Sequence, residues 1–154
     1  MSNKIIINKK IEKQIDVAAT KEEVWEKWTT EAGIQSFFAP NCKVELRLGG
    51  PFEMYFIADA PEGGKGSEGC TFLSYLPYEM LSFTWNAPPN FPEIRNGGQH
   101  TWVVLQFETI SDKNTKVKLS HCGWREGEYW NGVYDYFDAA WMGVLENFQK
   151  CFNC

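Results

Sequence analysis

The feature that most constrains the fold is a long apolar stripe near the end of the chain. Aromatic and aliphatic side chains recur there at spacings of 4, 3, 4, 3 and 4 residues, namely Trp130, Tyr134, Phe137, Trp141, Val144 and Phe148. This period places them on one face of a helix, which we expect to cover residues 128–150 and to be roughly 33 Å long. Because such a face must be buried, the preceding residues have to supply a second layer.

The residues before this helix show the two-residue alternation of β-strands. Two short helices interrupt it early. Thr20 and Glu23 form a capping-box sequence that starts a helix ending near Thr29, and a second helix is predicted over Glu31–Phe37. Strands are predicted over residues 5–17, 44–48, 52–57, 70–76, 81–86, 100–110 and 115–122.

This order of elements predicts an α+β fold, with an antiparallel sheet of about seven strands and helices on one face. The length of 154 residues fits a single domain, 1–154. Parity within the last two strands identifies the inner face of the sheet, because alternate side chains point to opposite faces. The side chains expected to face the long helix are Val103, Leu105, Phe107, Val117, Leu119 and His121.

The antiparallel order also predicts which connections lie together. The long loops 58–68, 86–98 and 123–128 should share one end of the sheet, and the tight turns 49–51, 77–79 and 111–114 should share the other. Binding groups are found more often on long loops than on tight turns. We therefore expect any binding site to open at the end that carries the long loops.

Two short motifs resemble cofactor or redox sites but lack the required context. The G-x-G-x-x-G pattern at residues 64–69 precedes a predicted strand, whereas a dinucleotide site needs a helix there, so we interpret it as a hairpin loop. Cys151 and Cys154 form a C-x-x-C pair beyond the C-terminus of the long helix. The helix dipole disfavours thiolates at that end, so we interpret the pair as part of a frayed tail.

Charge and composition exclude several classes of function. Fifteen Lys and Arg against twenty Asp and Glu give a net charge of −5 without a concentrated basic patch, so a nucleic-acid partner is not expected. The apolar run Ile5–Ile7 is too short for a signal peptide or a membrane span, and five irregularly spaced cysteines predict reduced thiols. We expect a cytoplasmic protein with no cofactor and no metal site.

Four stretches carry a family resemblance. They are Ile15–Trp25 at the first strand and helix, Leu46–Phe52 at the first hairpin, Pro77–Trp85, and Thr115–His121. In order and spacing, the chain resembles the activator-of-heat-shock-protein-ATPase homologue family within the helix-grip, START and Bet v-like (SRPBCC) superfamily. It departs from the commonest pattern in the insertion Pro88–Pro92 and in the aromatic segment Trp124–Trp130.

The resemblance implies a helix-grip fold, in which a curved sheet wraps the C-terminal helix around a hydrophobic cavity. It also implies relatives that bind lipids, hormones or polyketides, act as cyclases, or assist a chaperone in the stress response. Our leading hypothesis is the binding of a hydrophobic, aromatic or lipid-like small molecule that reaches the cavity between loops 58–68 and 86–98. The alternative is that the same side chains form a solid core. The predicted ligand-binding residues are Phe37, Phe38, Phe52, Met54, Phe56, Phe72, Phe83, Trp85, His121, Trp124, Tyr134, Phe137 and Trp141.

His121 is the polar residue on the otherwise apolar inner face, and it has two interpretations. It could contact a polar atom of the ligand, or act as the general base of a cyclase or dehydratase with Glu53 or Tyr134 assisting. The other interpretation is a core histidine whose nitrogens are satisfied by the backbone or by the long helix.

A further hypothesis for the function of the chain is an interaction module for a chaperone partner, acting through the convex face or an edge strand of the sheet.

Overall fold

The computed structural model describes residues 5–57 and 59–152 as an antiparallel β-sheet that packs against a long C-terminal helix. The helices are α1 (Lys21–Thr29), α2 (Glu31–Phe37), α3 (Pro92–Arg95) and α4 (Glu128–Lys150). The strands are β1 (Ile11–Val17), β2 (Asn41–Val44), β3 (Phe52–Tyr55), β4 (Phe72–Leu76), β5 (Met80–Trp85), β6 (Thr101–Ser111) and β7 (Asn114–Cys122). The predicted α+β class is confirmed.

The seven strands form two antiparallel sheets rather than one. Five of them follow the order β1-β7-β6-β5-β4, and β2 pairs with β3 in a separate hairpin. The hairpin is joined to β4 by an isolated bridge between Pro51 and Thr71, and by hydrogen bonds of 2.9 Å from Gly49 N to Phe72 O and from Phe52 N to Cys70 O. Helix α4 lies on the five-stranded sheet, where Trp141 contacts Trp85 of β5 and His121 of β7.

The predicted inner face of β6 and β7 is confirmed. Val103 pairs with His121 and Leu105 with Leu119, and all four side chains are buried. Solvent-facing positions between them, such as Lys118, are exposed. The two-residue alternation therefore predicted correctly which side chains of β6 and β7 lie on the buried face of the sheet.

Helix α4 has the predicted bounds, but the buried stripe is shifted along its surface. Val133 and Leu145 are buried where Tyr134 and Val144 were expected, and the other buried positions are Trp130, Phe137, Trp141 and Phe148. Tyr134 and Val144 lie at the border of the buried face. Neither α4 nor another helix among the described residues is long and apolar enough to cross a membrane.

The helical corner between β1 and β2 forms as its capping sequences predict. Glu23 N donates to Thr20 Oγ1 at 3.2 Å, and Thr20 N donates to Glu23 Oε1 at 2.8 Å, which completes the capping box. Thr30 caps α2 by accepting from Gly33 N at 3.0 Å. Gly33 allows α2 to approach α1 closely, since a Cβ there would lie 2.4 Å from Lys27 Cα.

Several predicted bounds were wrong. β1 begins at Ile11 rather than Ile5, and β2 covers Asn41–Val44 rather than residues 44–48. Residues 45–50 instead form a wide turn closed by a 3.0 Å hydrogen bond from Glu45 N to Pro51 O. The loop 86–98 contains the unpredicted helix α3. It starts at Pro92, a residue that is favoured at the first position of a helix.

Candidate functional site

An apolar groove lies between the middle of α4 and strand β5. We call its deeper part the inner compartment, which has a volume of about 170 Å³. Six of its eight lining residues are aromatic, and the full lining is Phe38, Phe56, Trp85, Tyr136, Phe137, Ala140, Trp141 and Val144. Phe56 and Tyr136 are 43% and 47% exposed, so the compartment opens past these two rings.

A second space, the outer compartment, adjoins the first and has a volume of about 160 Å³. It shares Phe56, Trp85, Tyr136 and Phe137 with the inner compartment, and its other walls are Ile57, residues 64–67, residues 86–89 and Arg95. Gly66 is required here, because its backbone pairs with Tyr55 and a Cβ would lie 2.0 Å from Met54 O. The groove therefore runs from an aromatic interior to a polar rim built by two loops.

Five of the thirteen predicted ligand-binding residues line the inner compartment: Phe38, Phe56, Trp85, Phe137 and Trp141. Seven others lie in the packed interior, namely Phe37, Phe52, Met54, Phe72, Phe83, His121 and Trp124. The ring centroid of Phe52 lies 5.0 Å from that of Phe72 and 4.2 Å from that of Phe83, so side chains fill this part of the expected cavity. Tyr134 lies apart, with its hydroxyl donating to Lys10 O at 3.3 Å.

His121 is fully buried near the end of β7, on the face of the sheet that α4 covers. Its Nδ1 accepts a hydrogen bond of 2.9 Å from the indole N–H of Trp141, and its Nε2 lies 2.7 Å from Thr101 Oγ1. Because an indole N–H can only donate, Nδ1 is the acceptor and Nε2 carries the proton. Burial lowers the pKa of His121 to about 3, so the imidazole is neutral near pH 7.

This geometry favours the core-histidine interpretation over that of a general base. Both ring nitrogens bond to protein groups, and His121 lines neither compartment. The two predicted assisting groups lie elsewhere, since Glu53 accepts from the Tyr55 hydroxyl and from Gly69 N, and Tyr134 bonds to Lys10 O. A base needs a free lone pair directed at the substrate, and His121 has none.

Arg95 at the end of α3 joins the two loops that form the rim. Its side chain is only 7% exposed. Nε donates to Gly63 O at 3.0 Å, Nη1 to Ala87 O at 2.7 Å and Nη2 to Gly66 O at 2.7 Å. Nη2 also lies 3.1 Å from Glu68 Oε1. The guanidinium group of Arg95 therefore spans the predicted path for a ligand between loops 58–68 and 86–98. The first residue of loop 58–68, Ala58, lies outside the described residues.

Glu68 completes this link from the loop that precedes β4. Burial acts to raise the pKa of Glu68, but hydrogen bonds from Lys65 N and Gly66 N and the charge of Arg95 outweigh it and lower the pKa. Glu68 therefore stays ionised and offsets the buried charge of Arg95. The pair makes the rim electrically neutral at this point.

Sequence reasoning missed several residues of the groove, among them Tyr136, Ala140 and Arg95. Tyr136 and Ala140 lie on the same side of α4 as Phe137, but they fall outside the apolar stripe that the sequence shows. Their position beside the stripe, one residue before Phe137 and one before Trp141, was the signal that could have identified them. No pattern in the sequence distinguishes Arg95 from the other arginines, because its role depends on a loop 32 residues away along the chain.

The G-x-G-x-x-G pattern lies in a loop, as predicted. Residues 64–69 belong to the loop before β4, with no helix after them. Cys154 lies outside the described residues, and Cys151 Sγ lies 3.0 Å from Phe148 O. Within residues 5–57 and 59–152, no three His, Cys, Asp or Glu side chains converge as a metal site would require.

Solved structures share this fold. A protein from Mesorhizobium loti is 18% identical, with a TM-score of 0.73 over 94% of this chain and 97% of that one. The Aha1 dimer from Colwellia psychrerythraea is 15% identical, with a TM-score of 0.68 over 94% and 96%. An HSP90 activator from Plasmodium falciparum is 19% identical, with a TM-score of 0.66 over 90% and 91%. These likenesses show the helix-grip fold.

A comparison with protein families gives a match along almost the whole chain, whereas no curated protein matches it. The matched family is described as "Activator of Hsp90 ATPase homolog 1-like protein", and the match covers residues 18–153. The four stretches that carried the resemblance lie within or across the start of this range. The chain therefore belongs to the activator of Hsp90 ATPase homolog 1-like family.

Proposed function

We propose that the chain binds a small apolar ligand, aromatic or lipid-like, in the inner compartment. The observation that carries this proposal is the exposure of aromatic rings around an apolar space, most clearly at Phe56 and Tyr136. A folded protein loses stability by keeping large apolar side chains in water, and contiguous exposed apolar surface is typical of interaction sites.

The volume limits the size of the ligand. An apolar cavity of about 150 Å³ can hold a benzene molecule, whereas sites for drug-sized ligands occupy about 300–1,000 Å³. The inner compartment alone, at about 170 Å³, fits one ring or the end of an aliphatic chain. Both compartments together approach the lower end of the larger range, so a two-ring ligand could extend toward Arg95.

Blocking the groove tests this proposal. In the Ala140→Phe variant the new ring should fill the inner compartment, and saturable quenching of tryptophan fluorescence by ring-sized compounds such as indole or naphthalene should disappear. Ala139→Phe is the matched control, because Ala139 is exposed on α4 and lines neither compartment. Absence of saturable quenching in the unmodified protein, for every ring-sized and short-chain compound tried, contradicts the proposal.

The family match favours a second candidate, the binding of a chaperone in the cytoplasm as part of the stress response. One relative by fold is an HSP90 activator. In this chain, Leu48 and Leu73 are 68% and 45% exposed, and the bond from Gly49 N to Phe72 O holds the two segments together. The reduced thiols of Cys42, Cys70 and Cys122 fit a reducing compartment. These leucines are the candidate contact surface.

A chaperone ATPase assay distinguishes chaperone binding from ligand binding. The ATPase rate of an Hsp90-type chaperone is measured with the unmodified protein and with Leu48→Glu/Leu73→Glu. Stimulation that the double variant loses, while Ile110→Glu keeps it, supports the chaperone role, since Ile110 is equally exposed on another strand. No stimulation by the unmodified protein contradicts that role and leaves ligand binding to be judged by the groove variants.

A further inference from the structure

The lining of the inner compartment is apolar and, among the described residues, carries no charged side chain. Six aromatic rings surround it, two of them indoles, and the described lining contains no Lys, Arg or His. The faces of aromatic rings carry partial negative charge, which attracts cations placed within about 6 Å of the ring centre, most strongly over Trp. A space bounded by six such rings is suited to a positively charged group.

We propose that the ligand of the inner compartment carries a compact quaternary ammonium group that these rings hold. The inference rests on the binding function proposed above and specifies the class of the ligand. It concerns small organic cations with methyl or short alkyl substituents, which are apolar at their surface and positive at their centre.

The rings are close enough together to act on one ligand. The centroids of Trp85 and Trp141 are 5.4 Å apart, and Phe38 lies 5.8 Å from Trp85 and 5.9 Å from Trp141. Phe56 lies 5.7 Å from Phe38 on the open side. Because all of these rings line one space of about 170 Å³, a group of the size of trimethylammonium in that space would contact more than one of them.

The hydrogen-bonding capacity of the lining distinguishes a quaternary from a primary ammonium. A primary ammonium has three N–H donors that would need acceptors once removed from water, and the only side-chain oxygen in the described lining is the hydroxyl of Tyr136. A quaternary ammonium has no N–H group, so its burial leaves no donor unsatisfied. A carboxylate would meet neither a cation nor enough donors and is disfavoured.

The surrounding charges do not oppose a cation. The two positive groups in the described lining of the outer compartment, Arg95 and Lys65, are each paired with a carboxylate: Arg95 Nη2 lies 3.1 Å from Glu68, and Lys65 Nζ lies 3.3 Å from Glu62. The chain as a whole carries a net charge of −5, which raises the local concentration of cations.

Choline and its uncharged isostere 3,3-dimethylbutan-1-ol test the proposal, because the two differ by replacement of N⁺ with carbon. We expect isothermal titration to give choline an affinity at least about tenfold higher. Equal affinities would show that the groove binds by apolar contact alone, which overturns the ammonium assignment but not the binding function. Binding of neither compound also overturns the assignment, and the ring-sized compounds described above then decide whether the groove binds anything.

Two further measurements identify the rings as the source of the preference. Tyr136→Leu and Phe56→Leu should each lower the affinity for choline several-fold and leave that for 3,3-dimethylbutan-1-ol nearly unchanged, whereas Tyr129→Leu, an exposed position of α4 outside the lining, should change neither. Replacing tryptophan by fluorinated tryptophans should weaken choline binding stepwise with the number of fluorines. A choline affinity insensitive to fluorination contradicts the proposal.

Discussion

The indole N–H of Trp141 on α4 donates a 2.9 Å hydrogen bond to Nδ1 of His121 on β7, while the ring of Trp141 lines the inner compartment. One side chain thus belongs both to the buried contact between helix and sheet and to the wall of the groove. On the far side of the imidazole, Nε2 bonds to Thr101, whose hydroxyl lies 3.4 Å from Trp85 O. The histidine therefore connects the indole of Trp141 with the backbone of β5 at Trp85, the second tryptophan of the groove.

Acid should destabilise the protein through His121. Burial lowers its pKa from 6.5 to about 3 in the folded state, whereas the unfolded chain takes up a proton as the pH falls through about 6.5. The unfolded state therefore binds more protons between these values, so the stabilisation is fully present above pH 6.5 and is lost as the pH falls toward 3. The loss approaches about 1.4 kcal/mol per pH unit.

Urea unfolding between about pH 7.5 and pH 4.5 measures this effect. His121→Asn should flatten the dependence of the free energy of unfolding on pH, although the half-buried His100 remains in that variant and its pKa is also lowered by burial. Equal slopes in the variant and the unmodified protein would show that another group causes the acid sensitivity.

Removing the indole N–H of Trp141 should destabilise the protein, because the imidazole of His121 loses its hydrogen-bond donor. Trp141→Phe leaves Nδ1 of His121 buried without a partner, which typically costs about 1–3 kcal/mol beyond the lost volume. In a double-mutant cycle with His121→Leu, the two substitutions should show a coupling energy above about 0.5 kcal/mol. Denaturant unfolding of the four proteins gives this coupling, and additive losses would show that the hydrogen bond contributes little.

Arg95→Met should loosen the rim without unfolding the core. The substitution keeps much of the side-chain volume but removes the bonds to Gly63, Gly66 and Ala87 and leaves Glu68 partly buried without its cation. We expect faster hydrogen exchange in residues 59–69 and 86–98 and unchanged exchange in β6 and β7. Arg47→Met is the control, since the side chain of Arg47 is mostly exposed and its ion pair is with Glu45, outside the rim. Unaltered exchange in both loops would contradict the linking role of Arg95.

Two glycine-to-alanine substitutions should have opposite signs. At Gly33 a Cβ would lie 2.4 Å from Lys27 Cα, so Gly33→Ala must push α1 and α2 apart and should destabilise the protein by about 1–3 kcal/mol. At Gly143 on α4 no atom lies within 4 Å of the added Cβ, so Gly143→Ala should stabilise by about 0.5–1 kcal/mol. Thermal unfolding of both variants measures the difference. Stabilisation by Gly33→Ala contradicts the close packing of the corner, and destabilisation by Gly143→Ala contradicts the open space beside α4.

The sequence predicted best those elements in which one strong pattern has one structural solution. Helix α4 was predicted at its observed bounds because its apolar stripe continues over six turns. Residues 44–48 also alternate, yet Leu46 and Leu48 lie exposed in a turn. Alternation predicts a strand only where another layer covers the apolar side, and these two leucines are 37% and 68% exposed. The local sequence does not show whether another layer will cover an alternating segment.

The groove was predicted less well than the fold because its volume depends on how the two sheets meet. Phe52, Phe72 and Phe83 were expected around a cavity, but the bridge between Pro51 and Thr71 brings the hairpin close enough for these rings to fill the space. Composition gives the number of aromatic rings and not the distance between the layers that carry them. The open space that remains is lined by five of the predicted residues: Phe38, Phe56, Trp85, Phe137 and Trp141.

The position of the proton on Nε2 of His121 allows it to report whether the groove is occupied. It is shielded from water and lies one imidazole ring away from the Trp141 indole that lines the groove. Slow exchange with solvent should give it a separate, downfield nuclear magnetic resonance signal. Displacement of the indole by an occupant of the groove would alter the electron density of the imidazole and move that signal. A single resonance from this buried histidine therefore reports occupancy without any label.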